Sequence, residues 1–227
     1  MFQIEQISIV IVTVFLLVSF WLIGKQLKNL RADETPNRLV AAIIAYVSWI
    51  DDYTVDAMGE KYGRLLSGYI GSVFIYILVS NLSGLVGLSA PTANFSVTFV
   101  FAAITWVMIQ TVSIKENGLK GYFEGFLDPF SFFLIPNIFS QIAPLISLSL
   151  RLFGNIIAGA TIMSLLYTFT GWISQFVPLI GNFNFFGVII APILHLYFDL
   201  FAGFLQTFIF ISLSIIFIGV EIPQKDA

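Results

Sequence analysis

Long apolar runs follow one another along the chain, separated by charged or turn-forming residues. The first, Ile7–Ile23, is close to the ~20 residues that cross a ~30 Å hydrocarbon core at 1.5 Å per residue. Leu65–Leu88 and Phe95–Ile114 are similar in length, and the segment between them, "GLSAPTAN", contains Pro91 and Asn94, which favour a turn. These runs predict three membrane-crossing helices.

The segment 39–63 is different, because its apolar stretch, Leu39–Ile50, is only 12 residues long. A proline precedes this stretch, and three aspartates follow it at positions 51, 52 and 56. Twelve residues are too few to span a bilayer. We therefore expect a short helix that is either interfacial or packed against the rest of the protein.

The last two apolar runs, 129–169 and 185–220, contain 41 and 36 residues, about twice what a perpendicular crossing requires. Either each run holds two short spans, or each is one long, steeply tilted helix. No turn-forming cluster interrupts Ser147–Gly159, and Pro136 and Pro144 can kink a membrane helix without ending it. The pattern favours two long helices.

The best turn candidate between these runs is Gly171–Asn184, which contains "VPLIGNFN". A turn here joins the two long helices into a hairpin. No internal repeat, linker or low-complexity segment divides residues 1–227. The sequence therefore predicts an all-α polytopic membrane protein that forms a single membrane domain, with about five membrane-crossing helices, the last two a long, steeply tilted hairpin.

Composition agrees with a membrane protein and excludes several functions. Hydrophobic residues make up 58% of the 227 residues, the mean hydropathy is +0.96, and 10% of residues are charged, against about 25% in soluble domains. The net charge of −3 and the absence of a dense basic patch argue against nucleic-acid binding. With no cysteine and one histidine, the chain lacks the ligands for a thiolate or multi-histidine metal site. We predict no metal and no cofactor.

The basic residues predict the orientation of the chain. The first of them, Lys25, follows the first apolar run, so this run lacks the basic n-region of a signal peptide and is expected to be a retained helix. By the positive-inside rule, the end of the run that carries basic residues lies in the cytoplasm, with the N-terminus outside and the C-terminus inside. The basic residues assigned to this inner surface are Lys25, Lys28, Arg31, Lys61, Arg64, Lys115 and Lys120.

A few polar residues interrupt the two long helices. Between Pro129 and Val220 the only residues that can carry charge are Arg151, Asp199 and His195. A guanidinium at the bilayer centre costs from ~3 kcal/mol on insertion scales to ~10–17 kcal/mol in simulations, so it needs a partner or water. On a helix, Ser147, Arg151 and Asn155 share one face, because residues four apart are neighbours.

The second long helix carries its own polar stripe, in which His195, Asp199, Ala202 and Gln206 follow spacings of 4, 3 and 4. A carboxylate there binds a proton more readily than in water, whereas a nearby cation favours its ionised form. The stripe could therefore carry protons. Alternatively, Arg151 and Asp199 form a structural ion pair, His195 is a packing residue, and the amides and hydroxyls are interhelical hydrogen-bonding groups.

Several motifs resemble one known family. "SLSLRLFGNIIAG" and, about 50 residues later, "FLQTFIFISL", together with "NLSGL", "SAPTANFSVTF" and "GLKGYFEGFLDPF", are similar to subunit a of F-type ATP synthases. The resemblance covers about residues 53–217, and the arginine motif is highly specific. It implies a tilted hairpin packed against a rotating ring of c subunits (the c-ring), peripheral-stalk b subunits as further partners, and no nucleotide binding or enzymatic activity by this chain alone.

The resemblance also implies roles for individual residues. Arg151 matches the essential arginine, and Ser147, Asn155 and Gln206 match polar positions around it, with Gln206 expected near the arginine from the opposite helix. Family members commonly carry a glutamate or histidine nine residues after the arginine, where this chain has Ala160.

Two further positions depart from the family pattern. Seven residues before the glutamine, where family members carry the complementary histidine or acid, this chain has Asp199. Fourteen residues before the arginine, where many members have glutamate, it has Asn137. The acid on the proton inlet is therefore expected on the second helix. We expect protons to arrive from outside by way of His195 and Asp199 and to leave inward along groups at the start of the first long helix. These groups are Asn137, Ser140 and Gln141.

Two other classes of function stay open at this point. A proton-coupled secondary transporter predicts inverted repeats and discontinuous helices, and the sequence shows neither. A structural scaffold predicts that loss of Arg151 harms assembly rather than conduction. Within the favoured family, the coupling ion is either H⁺ or Na⁺, because the ion-binding carboxylate is on subunit c. A bacterial plasma membrane is favoured over a mitochondrial inner membrane by the style of the loops.

Overall fold

The computed structural model describes residues 4–29, 36–176 and 183–223, which form helices and no strands. By length and composition, five helical segments of this part of the chain could cross a membrane. The prediction of an all-α polytopic membrane protein is confirmed. The helices are α1 (Ile4–Asn29), α2 (Arg38–Leu82), α3 (Phe95–Gly125), α4 (Leu134–Ser174), α5 (Phe185–His195) and α6 (Gly203–Val220), with a π-helical segment, Leu196–Ala202, between α5 and α6.

The two long apolar runs form two long helices, as the sequence predicts. α4 has 41 residues and passes through Pro144 without ending. α5, the π-helical segment and α6 continue one another from Phe185 to Val220, a length of 36 residues. α4 begins and ends later than the predicted range 129–169. A 3₁₀ turn at Ser131–Phe133 occupies its predicted start.

Asn184 closes the hairpin between α4 and α5. Its Oδ1 accepts a hydrogen bond from Gly187 N (2.9 Å), which caps the start of α5. Its Nδ2 donates to Tyr167 O (3.2 Å) and Thr170 Oγ1 (3.1 Å), both on α4. Six of the fourteen residues of the predicted turn, 177–182, lie outside the described residues. The end of the turn is nevertheless fixed to both helices by this one amide.

Gly59 reverses the chain within α2. It has φ +74°, a conformation that glycine adopts without the strain that other residues incur. Tyr46 Oη donates to Gly71 O (2.8 Å), so residues 38–58 lie antiparallel to residues 60–82. The short apolar segment is thus packed on the protein, one of the two arrangements predicted for it.

Gly118 reverses the chain in the same way near the end of α3, with φ +70°. Tyr122 Oη donates to Gln110 Oε1 (2.6 Å), although residues twelve apart in a straight helix are separated by about 18 Å. Lys61 Nζ lies 2.8 Å from Glu116 Oε1, which joins the neighbourhoods of the two glycines. The two reversals therefore lie side by side, at the end of the bundle that carries the predicted inner basic residues.

Asn81, which belongs to the "NLSGL" motif, fixes the start of α6. Its Nδ2 donates to Gly203 O (3.0 Å) and Thr207 Oγ1 (3.2 Å), and its Oδ1 accepts from Thr92 Oγ1 (2.7 Å). Between helices in a membrane, such bonds and close packing replace the hydrophobic effect as the cause of association. Asn81 thus holds α6 against α2, beside a core formed by Ile77, Leu148, Leu152, Phe210, Ile211 and Ile218.

The orientation can be tested by labelling engineered cysteines, because the chain has none of its own. We expect Glu124→Cys and Lys225→Cys to react with a membrane-impermeant maleimide from the cytoplasmic side, and Ser89→Cys from the other side. Glu124 has a side chain 65% exposed, and its replacement leaves every basic residue in place. External labelling at position 225 would overturn the predicted orientation.

Asn81→Ala removes three hydrogen bonds and leaves the buried hydroxyl of Thr92 without its acceptor, whereas Thr207 Oγ1 and Gly203 O keep their bond to each other. We expect a loss of about 1–3 kcal/mol of stability, the usual cost of an unsatisfied buried polar group. The measurement is thermal unfolding of the solubilised complex. Ser72→Ala is the matched control, since Ser72 is exposed on the same helix and donates only to Gly68 O. Equal unfolding temperatures for the two variants would refute the role of Asn81.

Candidate functional site

Arg151 lies on an outward-facing side of α4. Its neighbours Leu148 and Leu152 are buried, whereas the Arg151 side chain is exposed. Its one hydrogen bond within the described residues runs from Nη2 to Ser147 Oγ, at 3.4 Å, one turn before it. Asn155, one turn after it, is half-buried. The predicted row of Ser147, Arg151 and Asn155 therefore exists, but it leaves the guanidinium almost without partners.

The surface around Arg151 is apolar. The exposed large side chains of α4 near it include Phe139, Ile142, Ile146, Leu150 and Ile157. In lipid such residues are ordinary, but a guanidinium among them is costly unless water or an anion accompanies it. No carboxylate of the described residues lies within ion-pair distance of Arg151. Within the part of the chain that the structure describes, the guanidinium therefore has no counter-ion.

Asp199 forms a hydrogen-bonded chain with His195 and Tyr167. Asp199 Oδ2 lies 2.6 Å from His195 Nδ1, and His195 Nε2 lies 2.9 Å from Tyr167 Oη. Asp199 is in the π-helical segment, whereas Tyr167 is on α4, so the chain crosses the hairpin. The structural ion pair between Arg151 and Asp199, an alternative left open by the sequence, is not formed.

The hydrogen-bonded series of Tyr167, His195 and Asp199 has the groups that can transfer a proton. With its proton on Nδ1, His195 donates to Asp199 and accepts from Tyr167; with both ring nitrogens protonated, it donates to both neighbours. The two states differ by one proton and need no change in the positions of heavy atoms. Tyr167 is the member that sequence reasoning missed. Its only signal is a hydroxyl group in an otherwise apolar stretch of α4.

A cavity of about 350 Å³ reaches His195 from the side of the α4–α5 connection. We call it the turn cavity; its lining is Tyr167, Asn184, Gly187, Val188, Ala191, Pro192 and His195. Because Tyr167 and His195 are both in its wall, their hydrogen bond faces an open space large enough for water. The Tyr167–His195 end of the hydrogen-bonded series therefore opens into the turn cavity, on the side of the α4–α5 connection.

Gln206 is buried, with 6% of its surface exposed, and its Nε2 has no hydrogen-bond partner among the described residues. The predicted stripe assumed α-helical spacing from His195 to Gln206. The π-helical segment inserts additional residues per turn, so the phase of the helix changes between Asp199 and Gln206. His195 and Asp199 stay together, but Gln206 turns into the bundle and makes no hydrogen bond to Arg151.

The three residues predicted for the inward path lie together at a second cavity, of about 320 Å³, near the start of α4. We call it the amide cavity; its lining is Ser113, Asn117, Gly121, Tyr122, Gly125, Phe126, Asn137, Ser140, Gln141 and Glu221. Asn137 Nδ2 donates to Phe126 O (3.1 Å) and Asp128 O (2.9 Å). Gln141 Oε1 accepts from Gln110 Nε2 (3.0 Å). Sequence reasoning missed Tyr122 and Glu221.

The two cavities lie far apart along α4. Gln141 and Tyr167 are 26 residues apart on one helix, a rise of about 39 Å at 1.5 Å per residue. Arg151 falls between them, about 15 Å from Gln141 and 24 Å from Tyr167 along the axis. The chain thus presents two separate cavities, each with polar groups in its wall, and the exposed Arg151 lies between their levels.

The chain is similar to known proteins over most of its length. The family described as ATP synthase A chain matches residues 6–219. ATP synthase subunit a of Mycoplasma genitalium is 34% identical over 228 residues, covering 92% of this chain and 76% of the relative. The Mycoplasma pneumoniae subunit is 31% identical, with coverage of 100% and 82%. A Propionigenium modestum relative named as sodium ion specific is 26% identical, with coverage of 97% and 76%. The chain therefore belongs to the ATP synthase A chain family, which is subunit a of the F-type ATP synthase.

Proposed function

We propose that this chain couples proton flow to rotation of a c-ring, with Arg151 as the essential arginine and the two cavities as parts of two half-channels. The observation that carries the proposal is the position of Arg151: exposed, on an apolar face, without a carboxylate of the described residues within ion-pair distance, and between the levels of two cavities. A carboxylate brought by a partner would complete this site.

The physical role of Arg151 follows from the cost of charge in lipid. A ring carboxylate that faces lipid must be neutral, because an isolated ionised carboxylate there is very unfavourable. Opposite Arg151 the same group can lose its proton and form an ion pair. Arginine does not deprotonate in proteins, so it cannot pass protons itself. Arg151 thereby separates the half-channels and forces each proton to travel with the ring.

The outer half-channel is proposed to run through the turn cavity to His195 and Asp199. Tyr167 Oη and both His195 nitrogens form a continuous path of hydrogen bonds that ends at a carboxylate. In this proposal the acid of the inlet is on the second helix, whereas family members commonly carry a glutamate or histidine at the α4 position that is Ala160 here. A methyl group added at Gly159 would lie 3.7 Å from Phe198, so Ala160 and Asp199 are at one level of the hairpin.

The inner half-channel is proposed to run through the amide cavity, past Asn137, Ser140 and Gln141. Its amides and hydroxyls can order water without binding a charge. Each proton that crosses a potential of 100 mV releases ~2.3 kcal/mol, so several protons are needed per ATP. The Arg151 face of α4 would lie against the c-ring, and the remaining exposed apolar surface would face lipid and b subunits in a bacterial plasma membrane.

Arg151→Ala should abolish ATP-driven proton pumping in vesicles while the complex still assembles, because the separator of the half-channels is lost. Arg151→Lys should fail as well, since a lysine is compact and can lose its proton when desolvated. The measurement is quenching of a pH-sensitive dye on addition of ATP, beside quantification of the assembled complex.

Leu150→Ala is the matched control for Arg151, because Leu150 is its exposed apolar neighbour on α4. We expect it to pump normally. Normal coupled pumping by an assembled Arg151→Ala complex would overturn the proposed function. A scaffold role for Arg151 would appear instead as loss of assembly in Arg151→Ala.

Asp199→Asn should slow proton flux by at least about a hundredfold, the lower range for loss of a positioned proton-transfer group, with near-normal expression. The amide keeps the shape of the side chain but does not titrate at neutral pH. Tyr167→Phe and His195→Ala should cost less, because water in the turn cavity can replace them. The measurement is passive flux through the membrane sector after removal of the nucleotide-binding sector.

A second-site change separates proton transfer from a structural role of Asp199. Ala160→Glu combined with Asp199→Asn returns a carboxylate to the same level of the hairpin from the opposite helix. Recovery of flux in the double variant supports the transfer role. Wild-type flux in Asp199→Asn alone would exclude it.

A further inference from the structure

Glu221 is the one charged residue in the described lining of the amide cavity. The other polar groups there are amides and hydroxyls, which hold water but keep their charge fixed near neutral pH. Tyr122, on the segment that Gly118 folds back, is the other lining residue that can titrate, and it does so far above neutral pH. Among the described residues, the cavity therefore has one group able to exchange protons under ordinary conditions.

The position of Glu221 does not fit a structural role. It directly follows the last residue of α6, where the carbonyl groups of the helix end disfavour a negative charge. Its side chain forms no ion pair or hydrogen bond with any other described residue. It is half-buried, so it is not simply part of the solvated surface. A carboxylate there gains nothing from its own helix and faces the cavity instead.

A chain of hydrogen bonds fixes the wall beside Glu221. Tyr122 Oη donates to Gln110 Oε1 (2.6 Å), and Gln110 Nε2 donates to Gln141 Oε1 (3.0 Å). Trp106 Nε1 donates to Gln141 O (2.7 Å), which holds α4 to α3 at the same point. The folded-back segment, α3 and α4 are thus bonded together around the cavity. The reversal at Gly118 is what brings Tyr122 into this wall.

We propose that Glu221 is the proton-exchanging group between the amide cavity and the inner aqueous phase, an inference that rests on the proposed function. The carboxylate takes a proton from a hydronium ion in the cavity and becomes a neutral acid, and water remains. It then gives the proton to bulk water and returns to the carboxylate. In the opposite direction of rotation the same steps run in reverse. Its negative charge also raises the local concentration of protons.

The test uses vesicles that contain the whole ATP synthase, and it measures proton flux as a function of pH on the cytoplasmic side. Glu221→Gln should lower flux about tenfold at neutral and alkaline pH, the lower end of the range for charge-assisted ion capture, and less in acid, where hydronium is abundant. Glu221→Asp should keep most of the flux. Glu124→Gln is the matched control, because Glu124 is exposed near this end of the bundle and lies 3.6 Å from Lys120.

Glu221→His provides a second variant that keeps a titratable group. The dependence of its proton flux on cytoplasmic pH should have a midpoint at about pH 6.5, the ordinary pKa of histidine. If Glu221→Gln does not assemble, this profile decides: a shifted midpoint supports the role of Glu221, and a profile identical to wild type overturns it. Wild-type flux in an assembled Glu221→Gln complex also overturns it.

Arg151→Ala in the same vesicles separates this inference from the proposed function. Blocked pumping in Arg151→Ala with wild-type flux in Glu221→Gln refutes the role of Glu221 alone. Normal pumping in Arg151→Ala refutes the proposed function, and the role of Glu221 with it.

Discussion

The cost of leaving a polar group without a partner in an apolar environment governs this structure. Asn81 meets that cost with three hydrogen bonds, and by doing so fixes α6 against α2. Asp199 forms a hydrogen bond with His195 of the same long helix, and His195 forms one with Tyr167 of α4, so these bonds join the two helices of the hairpin. Arg151 alone among these groups is left nearly unpartnered. Two buried neutral groups of the described residues, Gln206 Nε2 and Ser80 Oγ, also lack partners, but a cation in apolar surroundings costs far more, and this makes the isolation of Arg151 informative.

The continuity of α4 sets the position of Arg151 relative to the two cavities. One uninterrupted helix of 41 residues carries a wall of the turn cavity, Arg151, and a wall of the amide cavity. Because a helix has a fixed rise per residue, the levels of the three features cannot change independently. Pro144 lies between two of them, and α3 contacts the helix before it through Trp106 and Gln141 and after it through Phe95 and Phe153. The spacing of the site is therefore a property of one element.

Much of this architecture could be predicted from the sequence, because length, hydropathy and rare charges are local signals. The five helices, the long hairpin and the pairing of His195 with Asp199 all follow from spacing along one segment. The reversals at Gly59 and Gly118 could not be predicted, since an isolated glycine inside an apolar run is equally compatible with a continuous helix.

The residues that sequence reasoning missed depend on contacts between distant segments. Tyr167 contacts His195 only because α5 folds back against α4. Glu221 lines the amide cavity only because α6 ends beside the folded-back end of α3. Gln206 shows a different effect, because the π-helical segment interrupts the regular periodicity that aligned it with Asp199. Local patterns thus predicted the elements and the isolated charges, whereas tertiary contacts determined which polar groups share a cavity.

The π-helical segment between α5 and α6 has a consequence for how the second long helix is held. Its wider turns rotate α6 relative to the setting that an unbroken α-helix would give it, because each π turn contains more residues than an α turn. α6 is anchored to α2 through Asn81, and α5 is anchored to α4 through Asn184. Asp199, within the segment itself, can therefore keep its contact with His195 on the hairpin side, while Gln206, seven residues later, is buried in the core that α6 forms with α2.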